Sequence, residues 1–154
     1  MLKRFCVIFA LCLLFTSCES IADEMPIQLI ADTVGEAVEG YECLSPASVS
    51  YIRYCMNSDL SLYRQYLVLY PFSGTVYNEF GIFILNDTAD KAAAQKEIKN
   101  YLKFKKENWD MRYGATDYEK IEHPLLFSHG RYLFYGILSE RDKQAVKQKL
   151  KKLL

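Results

Sequence analysis

Side chains able to do acid–base or nucleophilic chemistry are present in this chain, but they are scattered. Glu79 and Glu122 each stand where a strand is expected, and His123 and His129 lie in the second of two expected hairpins. A pair of such groups can divide acid and base work on one substrate, but acids this far apart in sequence do not establish a pair. The histidines lack the i, i+4 helical pairing or cysteine partners of a zinc site, so exposed turn residues are the expectation, with no metal. No G-x-S-x-G elbow, P-loop or dinucleotide fingerprint occurs. The expectation is therefore a non-enzyme, with no catalytic residue and no cofactor.

The cysteines divide by position. Cys6 and Cys12 belong to an apolar run from Phe5 to Phe15, which follows Lys3 and Arg4 and is followed by Thr16-Ser17-Cys18. Spanning a bilayer takes roughly 18 or more apolar residues, whereas a secretory h-region needs about 7–15, and this run fits the second. Phe15-Thr16-Ser17-Cys18 resembles the bacterial lipobox, with Phe15 standing where Leu is usual. That resemblance implies residues 1–17 as a lipoprotein signal peptide, cleavage before Cys18, and lipidation of its thiol. Residues 18–25 then form a lipidated tether and 26–154 a single domain outside the cytoplasm, anchored to the bacterial membrane. Two acyl chains on one residue suffice for stable anchoring. Cys43 and Cys55 remain in the domain; a disulfide is open to them, but a domain of this size needs no staple, and two free thiols are expected.

Composition narrows the class further. The 154 residues are 51% apolar, which excludes a disordered chain, and 19 basic side chains balance 19 acidic ones, so nucleic acid is not an expected partner. Charge is nonetheless unevenly placed. From Glu19 to Glu42 there are seven acids and no Lys or Arg, while Arg141 to Lys152 carries six basic residues against Asp142 alone. Three readings are open for the terminal lysines: against the acids of the first helix, against anionic headgroups, or solvated at the end of their own helix, whose dipole they complement.

Periodicity supplies the elements that must position these residues. After Pro26, apolar positions at Ile27, Ile30, Ala31, Val34, Ala37 and Val38 predict an amphipathic helix ended by Gly40, and Ser45-Pro46 predicts the start of a second helix carrying Val49, Ile52 and Met56. The period then changes to two. Leu67 and Leu69 alternate with Tyr66, Val68 and Tyr70, a turn follows at Pro71 to Gly74, and Val76 to Leu85 returns as a strand. Asp87 and Asp90 open a long helix whose inner face is Ala94, Ile98, Tyr101, Leu102 and Lys105. A second hairpin turns at His129-Gly130, with pairing expected from about Leu125 because Pro124 lacks an amide donor. Ser139 with Asp142 caps the last helix, whose stripe is Val146, Leu150 and Leu153.

The lipobox, the acidic leader, Tyr66 to Tyr70, Asn78 to Phe83, the Lys-rich helix ending near Trp109 and Gly130 to Phe134 together resemble a family of small bacterial lipoproteins known only as a domain of unknown function. The resemblance implies a secreted, tethered domain and no established activity. The fold expected is α+β: a four-stranded, mainly antiparallel sheet from two hairpins, each followed by a helix, with two N-terminal helices and the helices chiefly on one face. Twelve tyrosines stand out. An uncovered sheet face would present Tyr66 and Tyr70, joined by Tyr132 or Tyr135, as an amphipathic binding surface for an envelope protein or glycan. The alternative is that these rings cap the core with their hydroxyls in water. A binding or adaptor module is the first functional expectation; a structural accessory subunit of an envelope complex and a cryptic hydrolase are the alternatives.

Overall fold

The structure is a computed structural model that describes residues 25–72, 77–109 and 114–154. Cys18, the signal segment and the tether to residue 24 lie outside the described residues, as do the turn residues 73–76. Among the described residues, five strands form one antiparallel sheet: β1 (Leu44–Pro46), β2 (Tyr63–Pro71), β3 (Glu79–Leu85), β4 (Leu125–His129) and β5 (Tyr132–Ile137), in the order β1-β2-β3-β5-β4. The α-helices of the described residues are α1 (Ile27–Gly35), α2 (Lys91–Glu107), α3 (Ala115–Glu122) and α4 (Glu140–Leu153). The α+β class and the antiparallel sheet agree with the sequence expectation.

The strand count does not: there are five strands, not four. Ser45 and Pro46, expected to open a helix, instead pair with Tyr70 and Leu69 as the short edge strand β1, where a proline costs no ladder donor. Three residues are too few for alternation to reveal a strand. The expected second helix shrinks to a turn around Tyr51–Cys55 that is π-helical, with Met56 N–H donating to Tyr51 O at 3.1 Å. Of its predicted stripe, Ile52 and Met56 are buried, but Val49 is half exposed. The helix α3, for which the sequence pattern gave no signal, precedes β4.

A second correction concerns the layers, because both faces of the sheet are covered. On one side α1 and α4 pack Ile30, Val34, Val146 and Leu150 against Leu69, Phe80, Ile82 and Phe134. On the other, α2 packs Ala94, Ile98, Tyr101 and Leu102 against Val68, Phe83, Leu133 and Tyr135. Every residue of β3 is consequently buried, and its unbroken run Phe80-Gly81-Ile82-Phe83-Ile84-Leu85 is the composition a doubly covered strand requires.

Local capping follows the side chains. Ser139 Oγ accepts from Asp142 N at 3.2 Å at the start of α4, and Asp87 Oδ1 accepts from Ala89 N at 2.8 Å in the 3-10 turn that leads into α2. Between α1 and α4 the charge split resolves into contacts: Lys149 Nζ lies 2.7 Å from Glu36 Oε2, and Arg141 Nη2 lies 3.0 Å from Glu39 Oε2. Asp142, only 1% exposed, accepts from Glu39 N at 3.1 Å and so pins the chain after α1 to the first turn of α4. Contact with the acids of the first helix and the residues after it is thus realised for Lys149 and Arg141, while Lys147, Lys151 and Lys152 are exposed.

Candidate functional site

The most concentrated polar chemistry lies inside the second core. Glu79, the first residue of β3, is fully buried. Its Oε1 accepts from Tyr101 Oη at 2.7 Å and Tyr135 Oη at 2.8 Å; its Oε2 accepts from Tyr77 Oη at 2.7 Å and from Lys105 Nζ. A carboxylate offers about four lone-pair positions, and all four are taken. Lys105 also donates to Tyr77 Oη and lies 4.8 Å from that ring's centroid.

The partners arrive from three elements. Tyr101 and Lys105 stand one turn apart on α2, Tyr135 projects from β5, and Tyr77 precedes β3. Gly81 makes the arrangement possible. It pairs directly with Tyr135 across the ladder, and a Cβ there would come within 2.3 Å of Tyr135 Cε1, so only a hydrogen lets the ring fold over β3 towards Glu79. Beyond this shell, Tyr51 Oη and Tyr101 Oη are 2.7 Å apart, and the Tyr51 ring stacks on Tyr70 with centroids 5.2 Å apart. Trp109 closes the other side, edge-on to Tyr77 at 5.1 Å.

Electrostatics make this centre reluctant to ionise further. Burial pushes the Tyr135 and Tyr101 phenols far above the ordinary tyrosine value, and the neighbouring Glu79 charge pushes the same way. Tyr51 is raised by burial and then by Glu79. A second polar chain runs outward from Tyr77: Tyr77 N donates to Asp117 Oδ1, Lys120 Nζ bonds Asp117, Tyr77 O and Asn78 Oδ1, and Asn78 Nδ2 donates to Glu39 O at 2.7 Å. Buried charge and amide are thus paired throughout, which is the condition for keeping them in a core.

The four tyrosines proposed from sequence do not share a solvent-facing surface. Tyr66, Tyr70 and Tyr135 do lie on one sheet face, as alternation required, but α2 and the Tyr51 turn cover that face and leave Tyr135 with no exposure. Tyr132 lies on the opposite face, half-buried beside α1 and α4, its Oη accepting from Met25 N at 2.7 Å. The expected open aromatic face is therefore covered in part: Tyr101 of α2 packs edge-on to Tyr135, Tyr51 stacks on Tyr70, and Tyr66 and Tyr70 are left partly buried. Glu79 and Glu122 do not meet either. Glu122 sits at the end of α3, paired with Lys106 at 2.9 Å, which holds its carboxyl below the usual range. His123 and His129 are exposed, with positive φ taken by Gly130. Cys43 and Cys55 are free thiols, and among the described residues no three His, Cys, Asp or Glu converge to hold a metal.

Sequence reasoning missed Lys105 and Tyr101 as partners of Glu79. A partial signal was available: Lys105 continues the apolar stripe Ala94, Ile98, Tyr101, Leu102, and Glu79 opens an otherwise apolar strand, so each is a charge in search of a partner. Fold and centre together define a three-layer α+β domain organised around a closed, saturated carboxylate. The chain belongs to the family described as Domain of unknown function (DUF4358), whose model matches residues 45–138. That span holds the whole sheet from Ser45 on and every residue of the Glu79 cluster, and stops before α4. No curated protein matches the chain, and no solved structure does.

Proposed function

We propose that this protein is an envelope lipoprotein, anchored outside the cytoplasm through lipid on Cys18, whose domain serves as a non-catalytic binding or adaptor module for another envelope component. The observation that carries the reading is the N-terminal pattern: Lys3-Arg4, the apolar run Phe5 to Phe15, then Thr16-Ser17-Cys18. With α1 starting at Ile27, the tether from Cys18 reaches about 30 Å at most when extended, which keeps the domain near its membrane. The filled coordination of Glu79 supports the non-catalytic half, since a carboxylate with no free lone pair and no exposure has nothing to offer a substrate. Glu122, turned to Lys106 at the surface, does not supply the second group a hydrolase needs.

Metabolic labelling with a fatty-acid analogue, followed by membrane fractionation, tests the anchor. Wild type should be labelled and membrane-bound, and Cys18→Ala should lose both while its folded domain keeps the same circular dichroism. Label retained in the variant overturns the lipoprotein reading. Crosslinking in intact cells should trap a discrete partner, whereas turnover of an ester, amide or glycoside by the purified chain overturns the non-catalytic role.

A further inference from the structure

The two edges of the sheet are built differently. β1 is three residues long and ends in Pro46, two of the usual devices that stop an edge from pairing with another chain. β4, at the other edge, carries none of them: Leu125-Leu126-Phe127-Ser128-His129 contains no Lys, Glu, Asp or Pro, and its ladder with β5 runs without a register shift. His129 and Tyr132 flank the two-residue turn Gly130-Arg131, so they form a hydrogen-bonded pair, and so in turn do Phe127 with Phe134 and Leu125 with Gly136. Leu126 and Ser128 therefore aim their amide and carbonyl groups away from the sheet. Beside them runs a cavity of about 170 Å³ between the strand and α2, lined by Ile98, Lys99, Leu126, Phe127 and Leu133 among others. Leu126 is 45% exposed there.

Lysines bracket this edge from both layers. On α2, Lys99 borders the cavity, and Lys103 and Lys106 continue the same flank at helical spacing. On α4, Arg141 and Lys149 turn to α1, while Lys143 reaches His123 O just before β4 at 2.6 Å, so Lys147 and Lys151 follow at i+4 on the β4 flank. Glu122 and Glu140 engage Lys106 and Lys143 near Pro124; Lys99, Lys147 and Lys151 stand exposed along the rest of the strand.

We infer that β4 is a docking edge for an extended acidic segment of a partner protein, which adds to the sheet as a sixth strand. The main chain of Leu126 and Ser128 supplies the hydrogen bonds, alternate apolar side chains enter the cavity beside Leu126, and acidic ones meet the flanking lysines. A second copy of this chain fits worse, because two β4 edges brought together would confront lysine rows with lysine rows. The inference rests on the adaptor reading and names the partner chemistry it would use.

The full chain in non-ionic detergent, titrated at low salt with acetyl-(Glu-Val)3-Glu-amide, tests it. Binding should weaken about ten-fold or more with the Gln-Val counterpart, with rising salt, and with the combined variant Lys99→Gln, Lys147→Gln, Lys151→Gln, the size expected from losing a few exposed charge pairs. Leu126→Pro removes an amide that the β4–β5 ladder does not use, and should abolish binding with the fold intact. Should that variant unfold, alternate N-methylation of the peptide removes the same hydrogen bonds from the other side and should also abolish binding. No binding at low salt, equal binding by the Gln peptide, or full binding by Leu126→Pro overturns the inference. So does a lysine variant that loses only its affinity for phosphatidylglycerol vesicles while the peptide never binds, for then the lysines face a membrane. If the peptide fails but a crosslinked partner persists in cells, the edge is wrong and the adaptor reading stands. Peptide binding without any cellular partner supports the edge and removes the adaptor role.

Discussion

Glu79 ties α2, β5 and the start of β3 together through four hydrogen bonds at its carboxylate. Glu79→Gln keeps the shape of the side chain but strands Lys105 without a counter-charge in a site that is 17% exposed for the lysine and closed for the acid. Breaking one side of a buried pair costs about 3–5 kcal/mol, so urea unfolding should show a loss of that order. Tyr135→Phe deletes a single hydrogen bond to a charged group and should cost less, about 1.5–3 kcal/mol. If Glu79→Gln is instead the milder of the two, charge does not organise the core. Gly81→Ala belongs to the same site: its methyl would displace the Tyr135 ring, and overpacking of about 1–3 kcal/mol adds to the loss of the Tyr135–Glu79 bond.

Between elements, the α1–α4 layer depends on one buried acid more than on its exposed ion pairs. Asp142, itself buried, answers the partly buried Glu39 N and meets Arg141 Nε at 3.1 Å, whereas the Lys149–Glu36 and Arg141–Glu39 pairs stand largely in solvent, where such pairs contribute about 0–1 kcal/mol. Asp142→Ala should therefore cost about 1–3 kcal/mol by leaving that amide unanswered, against about 1 kcal/mol for removing the α4 cap with Ser139→Ala. Lys149→Gln should change the thermal midpoint little. A Lys149→Gln effect as large as that of Asp142→Ala in thermal melts would reverse this ranking.

Taken as a whole, the molecule hides phenols that its unfolded chain exposes, and this sets its behaviour in alkali. Tyr63, Tyr101 and Tyr135 are at most 5% exposed, and burial raises all three, with Glu97 adding to the effect at Tyr63 and Glu79 at the other two. Below about pH 10 both folded and unfolded states keep these protons, so the groups leave stability unchanged with pH. Above it the unfolded chain releases protons that the folded one retains, and stability falls by about 1.4 kcal/mol per pH unit for each phenol. Absorbance at 295 nm and circular dichroism should therefore show the last phenols ionising together with unfolding. Ionisation of all twelve tyrosines while the dichroism remains native would show that the core is open to solvent.

Short-range physics made much of this fold legible. The stripes Ile30, Ala31, Val34 on α1, Ala94, Ile98, Tyr101, Leu102 on α2 and Val146, Leu150 on α4 are set by the 3.6-residue turn, and all are buried. Alternation placed Leu67 and Leu69 opposite Tyr66 and Val68, Pro124 delayed β4 to Leu125, and Ser139 capped α4, each through interactions within a few residues. What lies across the sheet was decided only by packing. Glu79 meets partners 22, 26 and 56 positions away, and no local rule selects among distant tyrosines and lysines. The same holds for the layer that partly covers the aromatic face. Leu67 and Tyr66 show that a strand has two sides, but whether water or α2 covers the second depends on where the long helix docks. Its own apolar stripe is buried against Val68, Phe83, Leu133 and Tyr135 on that side, contacts between residues far apart in sequence that no local rule selects.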